Sequence, residues 1–268
     1  PLFSSPVFSY RKYARNVIAT TNRQGDTMPR KRRGWIKGAC YHITHRCHNQ
    51  EFLFRYAKYR NFYVRTLFNS VQRYHVDVLD YMVTSNHVHL LVAAKEGTEI
   101  SDALRYLHGQ MGQWHNIQKE TSGSFWSDRF HSTRIQSGEH LARCMLYIDL
   151  NMVRAGVVGH PAEWTHSAYR ELKGERQRCR IINTPRLLNC LTMKDEETFR
   201  SWHERTLAEK LTVKNKREPY WSNSIAVGDR EWLEQLVKSQ QLKRHVIIDK
   251  EEGCYLQGMK GAFDKTDK

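Results

Sequence analysis

The stretch at residues 76–94, VDVLDYMVTSNHVHLLVAA, constrains the fold more than any other part of the chain. Two apolar runs flank the polar pair Ser85 and Asn86, a pattern typical of two antiparallel strands joined by a tight turn. Because side chains alternate along a strand, His87 and His89 point to one face and Val88 to the other. Two adjacent imidazoles can serve packing, form a pH-sensitive pair, or bind one metal ion.

Strand and helix patterns alternate around this hairpin. The sequence predicts further strands at residues 38–47 and 130–137, and helices at 57–74, about 101–119 and 138–154. The resulting order is β-α-β-β-α-β-α, with the hairpin in the middle. This order predicts an α+β fold with a ferredoxin-like (RRM-like) antiparallel sheet and packed helices.

The rest of the chain divides into regions of different character. Residues 195–211 and 228–240 read as helices, and the sequence from residue 255 reads as a polar tail. We predict a leader at residues 1–27, a working domain at 28–170, and a mostly helical C-terminal extension with a tail at 171–268. The six cysteines form no CxxC pair, and no run has the length of a membrane span or the pattern of a signal peptide. A reducing cytoplasm fits best.

The charge indicates the class of partner. The chain has 43 Lys and Arg against 28 Asp and Glu, which gives a formal net charge of +15. An excess of this size favours a polyanion, and nucleic acid is the commonest one. The competing partner is an anionic membrane surface, but no basic amphipathic helix stands out. The arm PRKRRG at residues 29–34 suits phosphate contacts.

A second unusual pair lies in LYIDLNMVRAGVV at residues 146–158. Tyr147 and Asn151 are four residues apart, so a helix presents them on one face. Their polar ends need partners in a buried helix. A strand that offers two imidazoles opposite this helix would satisfy both elements through a metal ion.

Four stretches together resemble a known family. SNHVHLLV resembles the HUH motif, in which two histidines flank one bulky apolar residue, and YIDLNMVRAGVV resembles the tyrosine helix of single-tyrosine HUH transposases. GSFWSDRFHSTRI and YHITHRCHN are similar to two further elements, in the same order along the chain. The resemblance is closest to the REP-associated tyrosine transposases of bacteria and covers about residues 35–169. REPYWSNSIAVGDREWL looks like the C-terminal part of longer members.

The resemblance implies cleavage and rejoining of single-stranded, hairpin-forming DNA. Tyr147 would attack a phosphodiester, forming a 5′-phosphotyrosine and releasing a 3′-hydroxyl. His87, His89 and Asn151 would bind one divalent ion, Mg²⁺ or Mn²⁺, although the ligand types also allow Zn²⁺. Related transposases often have glutamine in place of Asn151, and proline in place of Met152. The resemblance implies no small-molecule cofactor and no membrane partner, a nucleoid-associated protein of the bacterial cytoplasm, and a monomer or homodimer.

Basic and aromatic residues around these motifs are candidates for DNA contacts, because phosphates attract cations and unpaired bases stack on aromatic rings. Arg143 and Arg154 could also stabilise a phenolate at Tyr147. Asp128 and Asp149 are possible carboxylate ligands of the ion. The predicted DNA contacts are Arg30, Lys31, Arg32, Arg33, Arg46, Trp126, Arg129, Arg134, Arg143 and Arg154, with Phe130 and Tyr169 as further stacking candidates.

Two other functions stay open on sequence alone. The same sheet could bind hairpin DNA or RNA as a regulator without catalysis, although such a protein has no need for the set His87, His89, Tyr147 and Asn151. A ribonuclease could use histidines as acid and base with neither a metal nor a covalent tyrosine. A covalent protein–DNA adduct formed with a divalent ion distinguishes the nickase and transposase from both.

Overall fold

The computed structural model describes residues 34–213, 217–242, 245–250 and 253–258. The basic arm Arg30–Arg33 and the predicted leader lie outside these residues. The first part of the described chain follows the predicted order of strands and helices. Its elements are β1 (Cys40–Arg46), α1 (Ala57–Tyr74), β2 (Asp77–Val83), β3 (His87–Ala93), α2 (Thr98–Lys119), β4 (His131–Ile135) and α3 (Glu139–Asp149).

The sheet has β1 near its centre. The strand order is β2-β3-β1-β4-β5-β7-β6, and β2 and β3 form the predicted antiparallel hairpin. The last three strands in this order come from the C-terminal part of the chain and are β5 (Ala226–Gly228), β7 (Gly253–Gly258) and β6 (His245–Lys250). β1 pairs antiparallel with β3, with Thr44 opposite His89 and Arg46 opposite His87. Because facing residues in antiparallel strands share a face, His42, Thr44 and Arg46 lie on the face of the two histidines.

The opposite face of the sheet packs against α1 and α2. The stripe predicted for α2, which consists of Ile100, Leu104, Leu107 and Met111, is fully buried against this face. The α+β fold class is therefore confirmed. α2 begins at Thr98, about three residues before the predicted start, and Gly97 is the residue that precedes it.

The C-terminal part combines short helices with three further strands. The helices predicted at residues 195–211 and 228–240 are present as α7 and α9. The predicted tail is wrong at residues 255–258, which belong to a strand paired with its neighbours. The elements are α4 (Asn151–Arg154), α5 (Tyr169–Leu172), α6 (Thr184–Leu191), α7 (Glu196–Leu211), α8 (Tyr220–Asn223), β5 (Ala226–Gly228), α9 (Arg230–Gln240), β6 (His245–Lys250) and β7 (Gly253–Gly258).

β5 connects this part to the rest of the sheet. It pairs in parallel with β4, so the C-terminal strands extend the same sheet that carries the two histidines. A strand of three residues is too short to show an alternating pattern, which is why the sequence did not predict it. None of the helices in the described part of the chain combines the length and apolar character that a membrane span requires.

A break at Leu150 interrupts the helix predicted at residues 138–154. Leu150 has φ −80° and ψ 3°, and it separates α3 from α4. The Leu150 amide still donates to Leu146 at 3.0 Å, and the Arg154 amide donates to Leu150 at 2.8 Å. α4 therefore continues almost in line with α3, and Tyr147 and Asn151 stay one turn apart.

Candidate active site

The two histidines identified in the sequence lie side by side at the start of β3. The Nε2 atoms of His87 and His89 are 2.9 Å apart, and the rings meet edge to face at a centroid distance of 4.7 Å. His89 is only 2% exposed, whereas His87 is half-buried. Both imidazoles leave the strand on one face, as the alternation predicts.

Hydrogen bonds determine which nitrogen of His87 carries the proton. Its Nδ1 lies 2.7 Å from Asn86 Oδ1 and 2.9 Å from Thr84 Oγ1. The Thr84 hydroxyl donates its own hydrogen to the His87 carbonyl at 2.8 Å, so it can only accept from the ring. Nδ1 therefore carries the hydrogen, and Nε2 keeps a lone pair on the side of His89.

His42 on the neighbouring strand determines the proton of His89 in the same way. His42 Nδ1 is 2.8 Å from the backbone oxygen of Trp221 in α8, and His42 Nε2 is 2.8 Å from His89 Nδ1. A carbonyl only accepts, so His42 donates to Trp221 from Nδ1 and accepts from His89 at Nε2. His89 Nε2 is then left with a lone pair.

Burial keeps these three imidazoles neutral. Burial lowers the pKa of His42 to about 4 and the pKa of His87 to about 3, and it holds the pKa of His89 well below its usual value. Repulsion from Arg46 and Arg217 lowers the pKa of His87 further. At pH 7 two unprotonated Nε2 atoms therefore face each other, an arrangement that a cation between them would relieve.

Tyr147 approaches the histidines from α3. Its ring centroid lies 6.2 Å from that of His89 and 6.3 Å from that of His42, edge to face in both cases. The guanidinium carbon of Arg154 lies 4.1 Å from the centre of the Tyr147 ring, and its Nη2 donates to the Tyr147 carbonyl at 2.6 Å. The buried Tyr147 ring therefore lies close to the His42 and His89 imidazoles and to the Arg154 guanidinium.

Asn151 joins the same group from the first residue of α4. Its Nδ2 lies 3.0 Å from His89 Nε2 and donates to that lone pair. His87 Nε2 then has no donor among the residues that the structure describes. The oxygen of the same carboxamide is a ligand that divalent cations accept.

The donor set fits a divalent cation. Two imidazole nitrogens with lone pairs lie 2.9 Å apart, and the Asn151 carboxamide lies within hydrogen-bonding distance of His89. Hydrogen bonds orient both rings as in metal sites. In the described part of the chain, no three or more His, Cys, Asp and Glu side chains are grouped so that they could hold a metal ion. Asp149 points away, because its Oδ2 lies 2.8 Å from His203 Nε2 in α7. A carboxylate ligand is therefore not part of this set.

The arginines predicted to contact DNA fall into different places. Arg46 ends β1 opposite His87 and is half-buried, Arg143 lies one turn before Tyr147 in α3, and Arg129 is exposed in the loop before β4. Arg134, also predicted to contact DNA, lies on the face away from the histidines, where it pairs with Tyr41 and its guanidinium lies 5.2 Å from the Trp232 ring. Strand parity accounts for the difference.

The aromatic stacking candidates are mostly parts of the core. Trp126 is 8% exposed, stacks on His45 at 4.1 Å and donates from Nε1 to the His108 carbonyl at 3.0 Å. The prediction that Trp126 stacks on bases is therefore corrected. Tyr169 is buried beside Leu207. Phe130 packs partly buried against the core.

Two contributors to the site were not predicted. His42 is not among the predicted ligands, although its parity places it on the face of His89 once β1 is known to pair with β3. Trp221 contributes a backbone oxygen from far along the chain, and its ring lies 6.2 Å from the Tyr147 ring. No local pattern in the sequence indicates a contact of this kind.

Comparison with known proteins agrees with this geometry. Residues 36–151 match the family model described as IS200-like transposase. Over these residues the chain is similar to IS200-like transposases. The resemblance to single-tyrosine transposases is confirmed at this level, and the matched residues begin before β1 and end at Asn151.

Two solved structures are similar to parts of this chain. A REP-associated tyrosine transposase bound to a REP hairpin is 19% identical, with 54% of this chain and 84% of that chain covered and a TM-score of 0.47. A protein from Deinococcus radiodurans R1 described as a transposase is 16% identical, with coverages of 48% and 98% and a TM-score of 0.32. No curated protein sequence matches the chain.

Proposed function

We propose that this protein is a metal-dependent, HUH-type endonuclease and strand transferase for single-stranded DNA, and that it acts on hairpin-forming DNA through a 5′-phosphotyrosine. The observation that carries the proposal is the convergence of Tyr147 and Asn151 with the paired Nε2 atoms of His87 and His89. The family match and the net charge of +15 support DNA as the polyanion.

Tyr147 is the nucleophile in this proposal. The Tyr147 hydroxyl gives up its proton as its oxygen forms a bond to the scissile phosphorus. The bond from phosphorus to the 3′-oxygen breaks, and the 3′-oxygen takes up a proton and leaves as a hydroxyl. Arg154, which lies against the tyrosine ring, and Arg46 at the end of β1 supply positive charge to the phosphate. The reverse reaction with another 3′-hydroxyl rejoins the strand without ATP, because the phosphodiester energy stays in the tyrosine ester.

His87, His89 and Asn151 hold the ion, Mg²⁺ or Mn²⁺, in this proposal. When bound, such an ion supplies a Lewis acid for the non-bridging oxygens of the phosphate. His42 orients the ring of His89 and keeps the hydrogen on Nδ1, so it is a positioning residue rather than a ligand. The two lone pairs held 2.9 Å apart support this assignment.

The division of the chain is also a proposal. Residues 28–170 would form the catalytic domain, and residues 171–268 an extension that contributes the Trp221 carbonyl to the site. We further propose that the DNA carries a hairpin, like that bound by the solved REP-associated relative.

The decisive experiment is the trapping of the covalent intermediate. Hairpin oligonucleotides with single-stranded flanks carry a label at the 3′ end, because the protein would stay attached to the 5′ phosphate of that fragment. With Mn²⁺ or Mg²⁺ we expect an SDS-resistant adduct that EDTA prevents. Tyr147→Phe should abolish the adduct, and the control Tyr106→Phe in α2 should leave it unchanged.

Two outcomes would contradict the proposal. Tight hairpin binding by the wild-type protein without any adduct would favour a regulator that does not cleave. Cleavage of RNA in EDTA without an adduct would favour a nuclease that uses histidines as acid and base.

A further inference from the structure

A cavity of about 550 Å³ lies on the side of the sheet that packs against α1 and α2, between the segment after β1 and the C-terminal end of α2. One wall comes from residues 51–59, which include a 3₁₀ turn at Leu53–Arg55 and the start of α1, and the other comes from α2 and Thr121. The volume is in the range of pockets that hold a small ligand. None of the residues proposed for catalysis lines it.

The mouth of this cavity carries exposed aromatic rings. Phe52 is 60% exposed and Tyr56 is 46% exposed. Among the described residues these are the only aromatic side chains in the set of exposed large hydrophobic ones, and both line this cavity. An exposed aromatic pair at a concave surface is typical of a platform for a planar ligand.

Positive charge accompanies these rings. The Arg55 guanidinium lies 4.6 Å from the centre of the Tyr56 ring and donates to its hydroxyl at 2.6 Å. Lys119 closes the other side, and Glu51 is the one acidic side chain in the lining. Neither Arg55 nor Lys119 has an ion-pair partner within the described ranges, so both cations are available to an anionic group.

Two polar atoms of the lining have unmet hydrogen bonds. The Tyr59 hydroxyl and His115 Nδ1 are shielded from solvent and have no hydrogen-bond partner in the part of the chain that the structure describes. Tyr59 is 1% exposed, and its ring lies 5.7 Å from that of His115. Buried polar atoms without partners are rare in folded proteins and need an explanation. A polar ligand that enters past the movable side chains of Phe52 and Tyr56 would supply these hydrogen bonds.

Hydrogen bonds connect the cavity wall to the candidate active site. The Phe54 amide donates to the Ser85 carbonyl at 3.0 Å, and Asn86 Nδ2 donates to the Gln50 carbonyl at 3.4 Å. The same Asn86 accepts from His87 Nδ1. The turn between β2 and β3 therefore supports both the cavity wall and the first residue of the histidine pair.

We propose that this cavity binds one unpaired nucleotide of the DNA strand, with the base stacked on Phe52 or Tyr56 and its phosphate near Arg55 and Lys119. Aromatic stacking together with cations is how proteins hold single strands without reading a groove. The Tyr59 hydroxyl and the His115 imidazole can bond to the edge of a base, which neither a lipid chain nor an apolar peptide could use. The inference rests on the proposed function for its substrate class, but it does not require cleavage.

Binding is measured in EDTA with Tyr147→Phe protein as the background, so that no covalent chemistry contributes. The probe is a fluorescent dT oligonucleotide. At least one of Phe52→Ala and Tyr56→Ala should raise its Kd by about 5- to 100-fold, which corresponds to the loss of one stacked base. Tyr56→Phe keeps the ring and should bind like the background protein, as should Val246→Ala, which alters an exposed side chain on β6.

Photo-crosslinking locates the base directly. A dT oligonucleotide with one 5-iododeoxyuridine should crosslink to Phe52, Tyr56 or Tyr59, as read by mass spectrometry. Tyr59→Phe should weaken binding and yet raise Tm, because it removes a buried hydroxyl without a partner. A purely structural tyrosine would not show these two changes together.

Several results would overturn the proposal. These are Kd values within twofold of the background for both alanine variants, crosslinks confined to other surfaces, or a dimer in solution that Phe52→Ala dissociates while DNA binding stays the same. The proposed function fails separately, through the absence of a Tyr147 adduct in the wild-type protein. If the alanine variants weaken DNA binding but the wild-type protein forms no adduct, the proposed enzymatic function is wrong and the proposed nucleotide site stands.

Discussion

β1 carries one histidine to each face of the sheet, and the two clusters that result differ in how completely they are satisfied. On the face that packs against α1 and α2, His45 Nε2 donates to the Asp128 carbonyl at 2.7 Å, and His45 Nδ1 lies 3.1 Å from His108 Nδ1. His108 Nε2 in turn lies 3.4 Å from the Tyr63 hydroxyl. In this arrangement each ring nitrogen has a partner of the opposite kind.

The face with His42, His87 and His89 lacks this balance. There the Trp221 carbonyl and the Thr84 and Asn86 side chains fix all the ring hydrogens on Nδ1, so two lone pairs meet 2.9 Å apart. The number of histidines in a cluster therefore does not by itself indicate its function. A mismatch of donors and acceptors in this buried cluster is the feature that supports the proposed cation site.

The largest expected difference between the clusters is in metal binding. His89→Ala removes one of the two facing Nε2 atoms, so the affinity for Mn²⁺ should fall by more than about 100-fold. Isothermal titration calorimetry of the protein without DNA measures this. Mn²⁺ affinity within threefold of wild type in His89→Ala would remove this site from the proposal.

The matched change on the other face should affect folding instead. His45→Ala leaves a cavity beside Trp126 and an unpaired nitrogen on His108, so the free energy of unfolding should fall by about 2–4 kcal/mol. Urea unfolding monitored by circular dichroism measures the loss. The Mn²⁺ affinity of the folded variant should stay within about twofold of wild type. A loss of Mn²⁺ binding in His45→Ala would show that the two histidine clusters depend on each other.

A third expected difference concerns pH in the metal-free protein. The pKa of His42 is lowered to about 4 by burial, against about 6.5 in the unfolded chain. As the pH falls, the unfolded state therefore takes up this proton before the folded state does. The contribution of His42 to the free energy of unfolding is complete above pH 6.5 and declines by about 1.4 kcal/mol per pH unit between pH 6.5 and pH 4. His42→Gln should flatten this part of the slope, measured as urea unfolding at several pH values in EDTA.

His42→Gln also sharpens the role assigned to His42. A glutamine amide can accept from His89 Nδ1 and donate to the Trp221 carbonyl, so Mn²⁺ affinity should stay within about threefold of wild type. His42→Ala can do neither and should bind Mn²⁺ about 10- to 100-fold more weakly. Equal Mn²⁺ affinities for the two variants would show that the orientation of His89 does not depend on residue 42.

Much of the domain follows from local patterns. α1 occupies residues 57–74 as predicted, the hairpin has its turn at Ser85 and Asn86, and the order of elements is as expected. These features depend on periods of two and 3.6 residues, which are visible within a short window. Other predictions failed where parity or packing was needed. Arg134, predicted to contact DNA, lies on the face away from the histidines, and Trp126, predicted to stack on bases, packs in the core.

The sequence by itself determined that two imidazoles share a strand face and that a tyrosine and an asparagine share a helix face, because neighbours along the chain set those directions. Only the tertiary structure decided that His42 and the Trp221 carbonyl, which are 179 residues apart, set the tautomer of His89. Pairing between distant segments leaves no periodic signal in a single sequence. Because β5 to β7 and the cavity at Phe52 and Tyr56 also depend on contacts between distant segments, the sequence did not predict them.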